Sequence, residues 1–239
     1  MNPAFWRGKR VFVTGHTGFK GSWMCLWLQS LGAHVTGYAL PPETPTNLFD
    51  AAGVGTEMDS FMADIRDRGK LREVITAAGP EIVFHMAAQA IVRVSYLQPV
   101  ETYEVNVLGT VHLLDSIREL PDVRAVVVVT SDKCYENRER LQGYIESDPM
   151  GGHDPYSSSK GCAELVTAGY RSSFFSGHGA EVGVATGRAG NVIGGGETRP
   201  DYVLILPWNL REEISSQLAF VSEWGGELVV PIPDVEVVA

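Results

Sequence analysis

The sequence predicts an α/β fold, a doubly wound parallel sheet followed by a short, atypical C-terminal β-α-β appendage, and three observations carry that reading. Short apolar runs alternate with segments of helical period. One run, AVVVV at 125–129, is apolar without alternation, as a strand is when helices cover both faces of its sheet. A glycine-rich turn, GHTGFKG at 15–21, lies between the first strand and the first helix.

The elements follow in order. Arg10 to Thr14 reads as a buried strand, Gly18 to Leu31 as a helix with apolar positions at Trp23, Leu26, Trp27 and Leu31, and His34 to Ala39 as a second strand. A third strand precedes ADIRD at 63–67. Ile65 to Ala78 has helical period, Glu81 to His85 is a short buried strand, and Pro99 to Leu120 is a long helix with proline near its start. Arg124 to Thr130 is the next strand. Asp154 caps a helix running through Tyr156 and Lys160 towards Phe175, and Glu181 to Arg188 supplies a further strand. Tyr202 to Leu206, Leu210 to Trp224 and Glu227 to Ile232 read as strand, helix and strand.

A chain of 239 residues suffices for one substantial α/β domain and is marginal for two. Nineteen basic residues against 29 acidic ones leave a net charge of -10, without the electrostatic footprint of a nucleic-acid or anionic-membrane binder. Small molecules or proteins are the expected partners. Cys25, Cys134 and Cys162 are odd in number and contain no CxxC pair, which fits buried thiols in a reducing cytosol better than a disulfide framework. The N-terminal apolar run is three residues long, a first strand and not a signal peptide, and no stretch reaches the ~18 apolar residues of a spanning helix. No histidine, cysteine and carboxylate spacing suggests a metal site.

The glycines of GHTGFKG, Gly15, Gly18 and Gly21, let the backbone turn tightly and approach a pyrophosphate, whose charge meets free amides and the positive end of the helix. The strand before and the helix after make this a Rossmann-type dinucleotide site. The spacing is GxxGxxG rather than GxGxxG. His16, inside the turn, could touch a phosphate, whereas His85 reads as a core residue. The end of the second strand is GYAL, without the acid that often holds an adenosine ribose, so that position does not distinguish NAD from NADP. Asp64 is a candidate for an adenine contact or, equally, a helix N-cap.

In YSSSK, Tyr156 and Lys160 are four apart on a helix and share a face. Tyrosine is a poor base at neutral pH, and an ammonium beside it favours the phenolate. Such a pair can take a hydroxyl proton while hydride leaves for a nicotinamide. TSDKCY, at 130–135, sets an acid and an amine side by side where the AVVVV strand ends.

In their order and combination, VFVTGHTGFKGSW, EIVFHMAAQ, NVLGTVHLL, VVVTSDKCYEN, GGHDPYSSSKG and RAGNVIGGG resemble an extended short-chain dehydrogenase/reductase of the CDP-glucose 4,6-dehydratase family, from about residue 8 to 196. The resemblance implies NAD as cofactor and CDP-glucose as substrate. Gly15, Gly18 and Gly21, with His16 and Phe19 beside them, would line the pyrophosphate. Asp64 and Ile65 would flank adenine, and Ala87, Ala88 and Gln89 would border the nicotinamide ribose. Asn106 would brace the site, Tyr156 and Lys160 would form the oxidation pair, and Asn191 would sit where the sugar nucleotide enters.

Ser131, Asp132 and Lys133 match the family's hydroxyl, acid and base after this strand; related dTDP-sugar dehydratases have glutamate in place of Lys133. Oxidation at C4 makes the C5 proton acidic, Lys133 would remove it, and Asp132 would protonate the departing C6 hydroxyl, with Ser131 bonded to the C4 oxygen. Desolvation is expected to keep Asp132 protonated and Lys133 neutral. A nucleotide-sugar epimerase of the same superfamily is the enzymatic rival; it needs the tyrosine and lysine but no acid and base.

The resemblance ends at Gly196, which divides the chain into a 1–196 cofactor-binding domain with the catalytic residues and a 197–239 appendage in place of a full substrate domain. The appendage holds two arginines, no lysine and eight acids, -6 of the -10. PDYVLILPWN with GGELVVPIP resembles the C-terminal end of sugar C-methyltransferases. A shortened or fused cofactor-binding remnant without turnover is therefore the second functional reading. A homodimer through the helices around 99–120 and 154–176 is what the resemblance implies for assembly.

Overall fold

The computed structural model describes residues 2–176, 182–190, 202–204, 211–230 and 236–238. The strands β1 (Arg10–Thr14), β2 (His34–Ala39), β3 (Asp59–Met62), β4 (Ile82–His85), β5 (Ala125–Val129) and β6 (Gly183–Gly187) form one sheet. Their order is β3-β2-β1-β4-β5-β6 and every pairing is parallel, with Val11 opposite both Val35 and Ile82, and Phe84 opposite Val127. The order reverses between β1 and β4, where a crevice opens at the C-terminal strand ends.

Helices α1 (Pro3–Trp6), α2 (Phe19–Ser30), α3 (Leu48–Ala51), α4 (Arg68–Ala78), α5 (Val92–Leu97), α6 (Pro99–Tyr103), α7 (Gly109–Ile117) and α8 (Pro155–Tyr170) accompany the sheet. Strand alternation divides the core between two clusters. Phe12, Val83, Val126 and Val128 pack with Leu71, Ile75, Leu113, Leu114 and Ile117; Val11, Val13, Val35 and Ile82 pack with Cys25, Leu28 and Phe49. Each large buried side chain contributes about 1.5–3 kcal/mol of hydrophobic stabilisation before chain entropy is set against it.

Several boundaries and faces differ from the sequence expectation. In α2 the buried residues are Gly21, Ser22, Cys25 and Leu28, whereas Trp23 and Trp27 are 44% and 43% exposed. A Cβ on Gly21 would lie 2.0 Å from the Gly15 carbonyl oxygen, so the helix meets the sheet through its small residues and turns its large ones outward. α4 starts at Arg68 because Asp67, not Asp64, caps it by accepting from the Lys70 amide at 2.9 Å. The helix expected over 99–120 is α6 and α7 joined by a π-helical turn, Glu104–Leu108. Such turns recur at functional sites, and this one holds Asn106. α8 likewise passes into a π-helical turn, Arg171–Phe175. Cys25 and Cys134 are buried free thiols, and Cys162 is only half-buried.

The chain divides into two compact units, Met1–Val192 and Ile193–Ala239. In the second, β7 (Tyr202–Leu204) pairs parallel with β8 (Glu227–Val230), which pairs antiparallel with β9 (Glu236–Val238), a strand the sequence pattern did not predict. The expected intervening helix is α9 (Arg211–Gln217) followed by a 3-10 segment, Ala219–Trp224. Among the described residues no helix is long and apolar enough to cross a membrane, and no cluster of side chains could hold a metal ion.

Candidate active site

The glycine turn opens the site. Gly15 has φ +75°, a left-handed conformation that favours glycine, and a Cβ there would lie 2.7 Å from the Ala87 nitrogen and the Met86 carbonyl carbon. Thr14 completes this join: its Oγ accepts from the amides of Met86 and Ala87 at 3.0 and 3.1 Å. Gly18 is the N-cap of α2 and has no side chain to satisfy the first-turn amides. A Cβ on Gly18 would meet only the Gly15 oxygen at 3.4 Å, so its missing side chain leaves open space over those amides. An uncapped helix N-terminus beneath such a space fits a dinucleotide pyrophosphate. Phe19, half exposed, begins the helix.

His16 is placed differently from its expectation. Its imidazole is 0% exposed, bonded through Nε2 to Ser60 Oγ at 2.7 Å and packed edge-on against Phe49. Burial pushes its pKa down to about 4. The side chain is part of the β2–β3 packing and offers no charge to a phosphate. Ile65 is also turned inward, against Gly109, where a Cβ would approach it to 2.9 Å; only its main chain is free to face a ligand. Asp64 holds Arg66 through a bidentate pair as short as 2.6 Å, and that hydrogen bonding keeps its carboxyl below the ordinary range.

Asn106 ties the segment after β4 to α8. Its Oδ1 accepts from the Gln89 amide at 2.8 Å, and its Nδ2 donates to the Gln89 carbonyl at 3.1 Å and to Ser159 Oγ at 2.8 Å. The Gln89 Nε2 donates to Thr102 Oγ and its Oε1 accepts from the Ile91 nitrogen, so that side chain braces its own loop. Ala87 and Ala88 lie half-buried on the same segment.

Asp154 caps α8 twice, accepting from the Ser157 amide at 2.9 Å and its hydroxyl at 2.6 Å, with Pro155 in the first turn. Ser95 Oγ accepts from the Tyr156 amide at 3.2 Å. Tyr156 and Lys160 are both buried on one face of α8. Lys160 Nζ lies 3.5 Å from the Val129 carbonyl at the end of β5. Burial, with the nearby Lys20 ammonium, pushes the Lys160 pKa down to about 8.

Beyond β5, Ser131 caps a 3-10 turn, Asp132–Cys134, and its hydroxyl donates to Asp132 Oδ1 at 3.0 Å. Asp132 and Lys133 form an ion pair at 3.3 Å with side chains 52% and 40% exposed. The desolvation expected to neutralise both is therefore not supplied by the described residues. Lys20, at the start of α2, is close enough to feel Asp132 and to act on Lys160, so the glycine turn, α8 and the 3-10 turn share one electrostatic neighbourhood. A cavity of about 410 Å³ lies on the Asp132 side, lined by Asp132, Tyr135, Tyr144, Glu146, Thr186 and Arg188. Asn191 lies outside the described residues.

Residues 12–178 match the family model described as GDP-mannose 4,6 dehydratase. The chain belongs to that family. Residues 195–233 match a second family, the C-methyltransferase C-terminal domain, in agreement with the resemblance of the tail. Among the relatives of this GDP-mannose 4,6 dehydratase family member, a CDP-glucose 4,6-dehydratase of Salmonella typhimurium is 58% identical over 207 residues, 85% of this chain and 58% of that protein. A CDP-paratose 2-epimerase of Salmonella typhi is 27% identical, covering 69% of this chain and 54% of its own. The Thermus thermophilus UDP-glucose 4-epimerase, solved in complex with NAD, superposes with a TM-score of 0.64 at 26% identity over 83% of this chain and 56% of that one. The chain thus spans little more than half the length of these proteins.

Two residues of this neighbourhood are not singled out by the sequence pattern. Lys20 stands inside the glycine motif, but nothing in a turn sequence says that its ammonium comes within electrostatic reach of Asp132. Glu164 is buried on α8 one turn beyond Lys160. A carboxylate continuing the Tyr156–Lys160 face was the available signal.

Proposed function

We propose that this chain carries the cofactor-binding and catalytic part of a CDP-glucose 4,6-dehydratase, with the domain that performs this work extending to about residue 196. The supporting observation is the Asp132–Lys133 pair at the end of β5, beside the helix of Tyr156 and Lys160, in a chain 58% identical to an enzyme of that name. An epimerase has use for Tyr156 and Lys160 but none for an acid and a base beside them.

NAD is the cofactor this reading takes, with Gly15, Gly18, Phe19 and Gly21 at its pyrophosphate, main-chain atoms of Asp64 and Ile65 near adenine, and Ala87, Ala88 and Gln89 near the nicotinamide ribose. Bound there, it would supply an acceptor for the C4 hydrogen as hydride and the source of the hydrogen gained at C6. Tyr156 takes the C4 hydroxyl proton, helped by the Lys160 ammonium. With the proton the pair shares passed from Lys133 to Asp132, the Lys133 amine removes the C5 proton, now acidified by the C4 ketone, and Asp132 delivers its proton to the C6 hydroxyl, which leaves as water, so that the pair ends as ammonium and carboxylate. The C5 proton is restored as the hydride returns, so one water is lost and the cofactor ends unchanged. Ser131 orients the C4 oxygen and the Asp132 carboxyl. Asn191 would stand at the sugar-nucleotide entrance.

Three free cysteines support a reducing, cytoplasmic setting. Exposed Val100, Leu108, Leu165 and Phe174 on the helical runs 99–117 and 155–175 support a homodimer through those helices; sedimentation at increasing concentration tests it.

The functional test is incubation of the purified chain with CDP-glucose and NAD, read by mass spectrometry. A product lighter by one water, absent in Tyr156→Phe, is expected. An isomer of unchanged mass would instead establish an epimerase, and no conversion in folded, NAD-binding protein would leave a cofactor-binding unit without turnover.

A further inference from the structure

Glu164 lies two helical turns beyond Tyr156 and one beyond Lys160, on the same face of α8, and its side chain is 3% exposed. Its carboxylate gathers three elements. Oε1 accepts from the hydroxyl of Thr130, the residue between β5 and the 3-10 turn. Oε2 accepts from Thr186 Oγ on β6 at 2.9 Å and from Arg188 Nη2 at 2.9 Å. Burial alone would raise the pKa of this carboxyl, but the three hydrogen bonds outweigh it and the net direction is downward, so the group is an anion.

Arg188 carries the connection onward. Its Nη1 donates to Tyr135 Oη at 2.9 Å and to the Glu146 carbonyl at 3.3 Å, and its guanidinium lies over the Tyr135 ring. Thr130 and Tyr135 bracket Ser131, Asp132, Lys133 and Cys134. Both ends of that segment therefore hang from one carboxylate on the helix that bears Tyr156 and Lys160. Main-chain bonds from Thr130 to Gly187 and from Asp132 to Ala189 fix the segment to β6 and its extension, but not to α8. Glu164 adds side-chain hydrogen bonds to α8 on top of the packing of Cys134 against Gly161 and the Lys160 contact with the Val129 carbonyl.

We infer that Glu164 is a positioning residue, which through Thr130 and Arg188 holds the Ser131–Asp132–Lys133 turn at a set distance and orientation from Tyr156 and Lys160. The inference rests on the dehydratase reading for its catalytic consequence. A buried ion pair is weak evidence for stability, since well-packed apolar groups can replace one at little cost. What an apolar pair cannot do is bind two hydroxyls and a phenol in fixed directions. In the dehydratase reading oxidation at C4 is done by Tyr156 and Lys160 with the cofactor and meets the turn only through Ser131 at the C4 oxygen, whereas loss of water needs both Asp132 and Lys133 to face the same sugar.

The test separates those two steps in the full chain. Glu164→Gln keeps the shape of the side chain but leaves the Arg188 guanidinium without its counter-charge, whereas Glu164→Met combined with Arg188→Met removes both charges, so that the test does not hang on tolerating a lone buried cation. With NAD and CDP-glucose, cofactor reduction at 340 nm reports oxidation, and deuterium entry at C5 with product mass reports elimination. Both variants are expected to bind NAD as wild type and to oxidise within about threefold, while elimination falls at least about thirtyfold at a KM changed by less than about threefold, a loss on the scale of misplaced reacting groups. Oxidation and elimination falling together, or neither falling, would overturn the inference. If wild type neither reduces the cofactor nor yields product, the dehydratase reading fails by itself. Positioning is then judged by hydrogen exchange: amides of residues 131–135 exchanging at least about tenfold faster in Glu164→Gln, with β1 and β4 unchanged, support it, and unchanged rates throughout sink it.

Discussion

Asn106 Nδ2 donates to Ser159 Oγ at 2.8 Å, and through that bond the π-helical turn after α6 holds the middle of α8. The same Asn106 grips both main-chain groups of Gln89, so one buried amide sets the segment after β4 and α8 relative to each other. Asn106→Ala leaves the Gln89 amide and carbonyl without these partners. The expected cost is about 1–3 kcal/mol of stability, read as a lowered urea midpoint, together with weaker NAD binding. A variant with wild-type midpoint and affinity would contradict this role.

The glycines of the turn separate by what their missing side chains make room for. Gly21→Ala sets a methyl 2.0 Å from the Gly15 oxygen and must displace α2, at a cost on the order of 1–3 kcal/mol. Gly18→Ala meets only a 3.4 Å contact, so it should melt close to wild type while losing roughly tenfold or more in NAD affinity, because its methyl occupies the space over the helix amides. Calorimetry of folding and titration with NAD together distinguish the two. Equal affinity in wild type and Gly18→Ala would remove the pyrophosphate from this position.

Two buried bases make stability depend on pH at opposite ends of the scale. His85 is held neutral by burial, with the Lys160 charge adding to the effect, at a pKa of about 3; its nitrogens bond Thr14 at 2.7 Å and Thr110 at 3.0 Å. The unfolded chain takes up this proton near its ordinary 6.5, so it binds more protons than the folded chain between about pH 6.5 and 3, and stability falls as the pH falls through that window. His85→Gln should flatten that part of the urea-midpoint profile. Lys160 is also depressed, to about 8, so the unfolded chain again holds more protons between about 8 and 10.5, and stability rises with pH there. Lys160→Met should exceed wild type in stability below pH 8, with the difference closing above it. Parallel profiles for wild type and either variant would contradict these assignments.

Asp132 and Lys133 should behave as a surface pair in folding and as a site in turnover. Half-exposed ion pairs are worth about 0–1 kcal/mol, so Asp132→Asn and Lys133→Met are expected to melt nearly as wild type. Loss of a general acid or base costs on the order of 100-fold or more in rate. Retained conversion of CDP-glucose in Lys133→Met would transfer the base to another residue.

The sequence by itself determined the parallel sheet, because VFV and AVVVV are apolar on both faces and GHTGFKG follows VFV closely enough to be read as strand, turn and helix. It also determined which chemistry-bearing residues stand near one another along the chain: Tyr156 with Lys160, and Ser131 with Asp132 and Lys133. Local spacing was enough for these because a helix face and a strand end are local objects. The π-helical turn around Asn106 was not legible, since its extra residue serves a bond to Ser159, 53 positions away. Nor was the direction of His16, which sits in the glycine turn but is drawn inward by Ser60 and Phe49. Only the tertiary structure decided that Glu164 would join Thr130 to Arg188 and that Lys20 would come within electrostatic reach of Asp132, because burial and hydrogen-bond partners across the sheet depend on which strands become neighbours. Motif spacing carries no term for that.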